Sequence, residues 1–334
     1  MEFKELRRKA CNDLSSGKIS IEDYNNIFKT ITYANLSYNG SHFFTMTESI
    51  NAIEISSIYS RAKHGSLEDI NYLADKVASL FISQFDDNES SIYQLFQTLE
   101  VDLDILVLIV PGSRNIESSS NIIFDHALLK INLFLTRNHF PTIINVKLPR
   151  LDPPVENYAS LSQEEREEIS KVRDHILPDS NFYSGRNIHL FFGDDVLITG
   201  STADKVISSA LSKGVKSFHS IYTLVIDPML VNRMPEVEYI LNTTCLKGGI
   251  CDEFILKVCT EDIVPVIKTY NILLNKANFE DLKIFISRIP IGALDTLYLY
   301  AMNNGYNKNR DYCDSLYFIE NYLSSNNESS FYLL

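Results

Sequence analysis

Residues 103 to 227 hold four short apolar runs separated by helix-patterned stretches, and that alternation constrains the fold more than any other feature. The first run, Leu103-Asp-Ile-Leu-Val-Leu-Ile-Val, is β-branched, nearly continuous and closed by Pro111-Gly112. Such a run is the texture of a strand covered on both faces of a parallel sheet. Thr142-Ile-Ile-Asn-Val-Lys, Ile188-His-Leu-Phe-Phe and Ser220-Ile-Tyr-Thr-Leu-Val-Ile repeat it. Helices are expected between them over about 119–138 and 203–212, with Gly214 placed just past the end of the second. Strand–helix–strand units with right-handed crossovers predict an α/β core over 101–230, a Rossmann-like parallel sheet flanked by helices.

The flanks read differently. In Ile21-Glu-Asp-Tyr-Asn-Asn-Ile-Phe-Lys-Thr-Ile the apolar residues fall on one helical face. Ser66-Leu-Glu-Asp69 is a capping-box pattern ahead of an apolar-periodic run over 70–85. Residues 1–100 are therefore expected to form a helical extension. Residues 231–334 are expected to form a second helical region, with helices over 279–287 and 294–303 among them.

One segment carries a chemical signature. Leu190-Phe-Phe-Gly-Asp194-Asp195-Val-Leu-Ile-Thr199-Gly200-Ser201-Thr202 is an apolar strand, two adjacent carboxylates, and a short hydroxyl-and-glycine turn that opens a helix. Open α/β sheets bind ligands beyond the carboxyl ends of their strands. Gly200 lets backbone approach a phosphate closely. The turn amides and the hydroxyls of Thr199, Ser201 and Thr202 suit a phosphate dianion. Asp194 and Asp195 cannot serve that phosphate; they suit a diol such as the 2- and 3-hydroxyls of ribose, with Mg²⁺ nearby. The spacing thus reads as phosphate and ribose held side by side.

The string D-D-x-x-x-T-G-x-T after an apolar strand resembles the phosphoribosyl pyrophosphate (PRPP) loop of type I phosphoribosyltransferases. The resemblance covers roughly residues 100 to 230, and Gly193 departs from it, since many members keep an apolar residue there. It implies a type I phosphoribosyltransferase-like core that uses PRPP with Mg²⁺, the metal meeting Asp194 and Asp195. It also implies a pyrophosphate loop after the first core strand, here Val110-Pro111-Gly112-Ser113-Arg114-Asn115, where Ser113 and Arg114 would meet the pyrophosphate. Lys147 and Arg150 would supply basic contacts near the end of the next strand, and residues 149–181 would form a hood. Tyr158-Ala-Ser-Leu-Ser-Gln-Glu-Glu-Arg166 within that hood resembles a segment of poorly characterised bacterial phosphoribosyltransferase-like proteins. An acceptor base would sit against Met229 to Asn232, after the fourth strand.

Composition removes other classes. Lys and Arg number 30 against 43 Asp and Glu, a net charge of −13, which argues against bulk nucleic-acid binding. No run of 18 apolar residues is present, so no membrane-spanning helix is expected, and the charged start reads as no secretion signal. Five cysteines, Cys11, Cys245, Cys251, Cys259 and Cys313, lack zinc-site spacing and read as free thiols of a cytoplasmic protein. The seven histidines show no paired ligand spacing. Ser113 lacks the context of a hydrolase elbow.

Three functions remain open at this point. One is transfer of a ribosyl phosphate from PRPP to an unidentified acceptor with release of pyrophosphate. Another is a nucleotide-sensing or regulatory module without turnover. The third is a nucleotide-cleaving or nucleotide-modifying effector of a bacterial antiphage or toxin system, its helical flanks binding a protein partner. Homodimers are common in the family resembled and stand among the expected partners.

Overall fold

The computed structural model describes residues 3–46, 50–100, 102–112, 116–148, 177–245, 250–259 and 264–326. The four apolar runs form strands β3 (Asp104–Pro111), β4 (Ile143–Leu148), β5 (Asn187–Leu197) and β6 (Ser217–Ile226). They are joined by strands β1 (Thr30–Tyr38) and β2 (Phe43–Thr45) into one six-stranded sheet of order β2-β1-β6-β5-β3-β4. Every pairing is parallel except the β1–β2 hairpin. The α/β architecture is the one the sequence predicts.

Residues 30–45 differ from expectation. The helical face read over 21–31 yields only the short helix α2 (Ile21–Ile27), after α1 (Phe3–Ser15), and the chain then turns into β1. Lys29 makes that turn with φ 46°, a conformation uncommon outside glycine. Thr30-Ile-Thr-Tyr follows, β-branched and aromatic, and its register with Ser220–Ile226 covers a β6 that would otherwise be an exposed edge. A period of 3.6 fitted over eleven residues had masked a change to period 2.

Helices cover both faces of the sheet. On one side lie α3 (Ala52–Lys63), α4 (Leu67–Ser83), α5 (Ser91–Gln97) and α6 (Ser119–Arg137), around Phe81, Ile123, Phe191 and Leu224. The short helices α9 (Pro228–Arg233) and α10 (Val237–Asn242) close the same core. On the other side lie α1, α2, α7 (Ser180–Tyr183) and α8 (Ser201–Ser212), around Phe28, Phe192, Ile207 and Val225. A third core joins α11 (Asp252–Cys259), α12 (Ile267–Leu273), α13 (Phe279–Arg288), α14 (Ile291–Asn303) and α15 (Cys313–Asn326). The helices expected over 279–287 and 294–303 are α13 and α14. Ile116, just after β3, is packed into this third core.

Two features of the sheet position a site. The chain runs from β3 outward to β4, then returns to place β5 on the opposite side of β3, so the carboxyl ends of β3 and β5 flank a topological switch point. In addition, side-chain alternation slips by one residue across three neighbouring strands. Toward α3, α4 and α6, β1 offers Ile31 and Tyr33 and then Ala34 and Leu36. On the same face β6 offers Ile221 and then Leu224, and β5 offers Phe191 and then Val196. A strict period of two would forbid these sets. Tyr33, Thr223 and Asp195 lie between the paired rungs on either side of the slip. Thr223 Oγ1 donates to the main-chain oxygen of Asp195 there. The pairing register is unbroken through this point, so the change is one of side-chain facing within the paired strands, and it falls on the acid pair.

Candidate active site

The acid pair lies inside β5 rather than after it, and its two members have different surroundings. Asp195 is 2% exposed. Its Oδ2 receives Lys63 Nζ at 2.7 Å and Ser119 Oγ at 3.0 Å, while Tyr59 OH donates to Oδ1 at 3.4 Å. Lys63 and Tyr59 come from α3, and Ser119 opens α6. Burial opposes the charge on Lys63, but Asp195 outweighs it and holds the ammonium's pKa above its usual value. The same burial and the nearby carboxylates push the Tyr59 phenol well up, so it acts as a donor.

Asp194 is half-buried. Its Oδ1 accepts the amide N–H of Asp195 at 2.9 Å. Burial, with the charge of Asp195 added, pushes its carboxyl up to about 7, against the pull of Lys63. Two adjacent carboxyls thus have separated roles: one is neutralised by a resident ammonium, and the other titrates near neutrality.

The turn Thr199–Thr202 follows directly. Gly200 takes φ 74°, the left-handed region, and caps α8. Thr199 Oγ1 accepts the amide of Ser201 at 3.3 Å and lies 3.1 Å from Ser201 Oγ. The Gly200 carbonyl accepts the amide of Asp204 at 2.8 Å and starts the helix. The amides of Thr202 and Ala203 are among those a helix leaves without an internal acceptor, so the turn presents N–H groups and hydroxyls with a positive helix end behind them.

Arg7, from α1, is packed against this turn. A Cβ added at Gly200 would stand 2.5 Å from Arg7 Nε. The guanidinium is paired with Asp204 in the first turn of α8: Nε and NH2 both lie 2.7 Å from Oδ1, and Nε also donates to Oδ2 at 2.9 Å. Its NH1 donates to Tyr24 OH at 2.9 Å, and its Cζ lies 4.2 Å from the centre of the Phe28 ring. Tyr222, paired with Asp194 in the sheet, has a phenol pKa raised by burial that also responds to Arg7, Asp194 and Asp204.

The N-terminus of α6 completes the setting. Ser118 caps it, and Asn121 Nδ2 donates to the Pro111 carbonyl at 3.1 Å, tying the end of β3 to the helix that carries Ser119. Gly193, the departure from the expected motif, has a physical reason: a Cβ there would meet Phe124 Cε1 of α6 at 2.7 Å. The aromatic ring fills the volume that a side chain at 193 would need.

The remaining residues chosen from sequence divide. Lys147, next to last in β4, already pairs with Glu117 and with Asp125 Oδ2, the latter at 2.7 Å. Met229, Leu230 and Val231 sit in α9, with Asp227 capping the Met229 amide and Val231 packed into the sheet's core. Ser113, Arg114, Arg150, Tyr158 and Arg166 lie outside the described residues, as do residues 149–176 of the hood expected over 149–181. The strand that Ser113 follows is nonetheless the immediate neighbour of β5. Lys63, Ser119, Arg7 and Asp204 were missed by sequence reasoning. None belongs to a motif, and Arg7 comes from the charged start whose only reading was the absence of a secretion signal.

Of the two carboxylates expected at a metal, Asp195 has its charge met by a side chain. An ammonium 2.7 Å from Asp195 occupies the place of a cation. Among the described residues no group of three or more His, Cys, Asp or Glu could hold a metal ion. Nor is any described helix long and apolar enough to cross a membrane.

No curated protein matches the chain. Among solved structures, a point mutant of hypoxanthine phosphoribosyltransferase from Trypanosoma cruzi, complexed with the product IMP, is similar at 14% identity with a TM-score of 0.29. That likeness covers 48% of this chain and 66% of that one. The family model described as PRTase ComF-like, where PRTase abbreviates phosphoribosyltransferase, matches residues 54–319. That span takes in α3 with Lys63, the switch point, the acid pair, the turn and most of the C-terminal helices, and the chain belongs to the PRTase ComF-like family.

Proposed function

We propose that the chain binds PRPP, or the ribose 5-phosphate portion of a nucleotide, across the carboxyl ends of β3 and β5, and transfers the ribosyl phosphate to an acceptor with release of pyrophosphate. The observation that carries this reading is the left-handed Gly200 opening α8 beside a half-buried Asp194. Thr199, Gly200, Ser201 and Thr202 would hold the 5-phosphate by amides and hydroxyls. Asp194 would accept from the ribose hydroxyls, while Asp195 holds Lys63 and the N-terminus of α6 around it. Ser113 and Arg114 would meet the pyrophosphate, with Lys147 and Arg150 at the rim.

The transition state of such a transfer gains positive charge at the ribose C1 as pyrophosphate leaves. Holding both ends of the substrate and fixing the ring supplies most of the acceleration in a site of this kind. Asp194, rather than the Lys63-paired Asp195, would hold Mg²⁺, which would supply charge to offset the leaving pyrophosphate. A homodimer and a cytoplasmic location are consistent with this reading.

Calorimetry with PRPP and Mg²⁺ tests it. Binding to the full chain, lost in the variant Asp194→Asn with Thr199→Ala, is the expected result. No binding, or binding unchanged in that variant, defeats the site assignment. Pyrophosphate release on addition of a nucleobase panel would then mark a transferase. Tight binding with no release across the panel would mark a sensing module.

A further inference from the structure

We infer that Arg7 is a positioning residue for the phosphate turn: helix α1 delivers a guanidinium that holds Gly200 and the first turn of α8 in the shape that receives a phosphate. The inference rests on the ribose-phosphate reading for its ligand, but its structural content stands on different atoms.

Three observations converge. The space that any side chain at Gly200 would need is taken by Arg7, with its Nε, Cζ and Cδ at 2.5, 2.7 and 2.9 Å from the position of a Cβ. The guanidinium is also bonded to Asp204, whose amide is bonded in turn to the Gly200 carbonyl at 2.8 Å. Turn, helix start and clamp therefore form one closed set of contacts. Finally, Arg7 is itself fixed on its remaining sides by Tyr24 OH and the Phe28 ring, so it has little freedom to follow a turn that moves.

A buried pair of this kind is weak evidence for stability alone, because an apolar pair of equal volume often serves as well. What an apolar pair could not supply is directional bonding to the helix's first turn. Asp204 is the acidic side chain in that turn. Left unpaired, its charge would stand beside an incoming phosphate and repel it; Arg7 cancels it. The clamp thus acts both on the shape of the turn and on its field, without touching the ligand. Arg7, Tyr24 and Phe28 lie outside the 54–319 span that matches the family, while Gly200 and Asp204 lie within it.

Amide hydrogen exchange and ribose 5-phosphate calorimetry on the full chain test the inference in Arg7→Met, Arg7→Lys and the double variant Arg7→Met with Asp204→Leu. In Arg7→Met, exchange should accelerate at least tenfold over residues 199–203 and little elsewhere, and ribose 5-phosphate affinity should fall at least tenfold. Arg7→Lys should recover part of both. Acceleration spread evenly over the fold, or an unchanged turn in a folded Arg7→Met, overturns the inference. If Arg7→Met does not fold, the double variant carries the test, since it leaves no buried charge; wild-type exchange over 199–203 there overturns it equally. Should the unmodified protein bind no ribose 5-phosphate, the ligand reading fails while the exchange comparison still decides the clamp.

Discussion

Lys63 Nζ stands 2.7 Å from Asp195 Oδ2, and this pair joins helix α3 to the middle of the sheet at the level where side-chain alternation changes face in three strands. The carboxylate is 3% exposed and the ammonium-bearing side chain 16%. Removing one partner of such a pair leaves a buried charge uncompensated, which costs more than the pair itself contributes. Lys63→Met should therefore lower unfolding free energy by about 3 kcal/mol, the low end of that effect. The double variant Lys63→Met with Asp195→Leu should recover most of the loss. Urea denaturation of the three proteins checks this; a double variant as unstable as the single one would show that the pair is not the source.

Asp194 gives a pH dependence with a defined sign. Its folded-state pKa, about 7, lies above the ordinary 3.8, so the folded protein holds a proton that the unfolded chain has released. Stability from this group is full below the unfolded value and is lost as pH rises toward the folded one. Asp204, pushed up to about 6 by burial, adds a contribution of the same sign over a narrower window. Melting temperature should fall as pH rises from about 4 to about 7, and Asp194→Asn should flatten that slope without abolishing it. A slope identical in the variant would place the titration elsewhere.

Gly200→Ala meets two obstacles at once. The backbone at φ 74° is strained for any residue with a Cβ, and the Cβ would press into the Arg7 guanidinium. Together these should destabilise the protein by about 2–3 kcal/mol. Ribose 5-phosphate affinity should fall with it. Gly214→Ala is the control: its φ of 97° is comparable, but nothing lies within 4 Å of the added atom, so it should cost only the backbone part, about 1 kcal/mol, and leave affinity intact. Equal losses in both variants would mean that the clamp offers no resistance.

The core strands were legible because their burial on two faces writes itself as unbroken apolar sequence. Ile105 to Val110 could be little else, and β3 runs over Asp104–Pro111. The turn was legible because its demands are local, with glycine at the left-handed position and hydroxyls on each side. β1 was not, because Tyr24, Ile27, Phe28 and Ile31 keep a helical spacing across a real change of element, and only the partner strand β6 decides where that change falls. The partners of the acid pair were hidden for a related reason. Lys63 and Ser119 lie 132 and 76 residues from Asp195, and no spacing in a sequence reports contacts made by folding.

Gly193 and Phe124 carry the last prediction. Glycine in the interior of a strand is costly, because it gives up backbone freedom without packing in return. Here the return is made by α6, whose Phe124 lies 1% exposed with its ring over the Gly193 backbone. Gly193→Ala should overpack the site, with a Cβ 2.7 Å from Phe124 Cε1, and cost about 1–3 kcal/mol. Phe124→Leu alone should cost a similar amount by leaving a cavity. The two together should cost less than their sum, because the smaller ring-site residue gives the new methyl its room. Denaturant melts of the four proteins measure the coupling directly. Strict additivity would mean that the strand shifts rather than the ring. In that case Asp194 and Asp195, one and two residues further on, would shift with it, and ligand affinity would change in Gly193→Ala whether or not Phe124 is reduced.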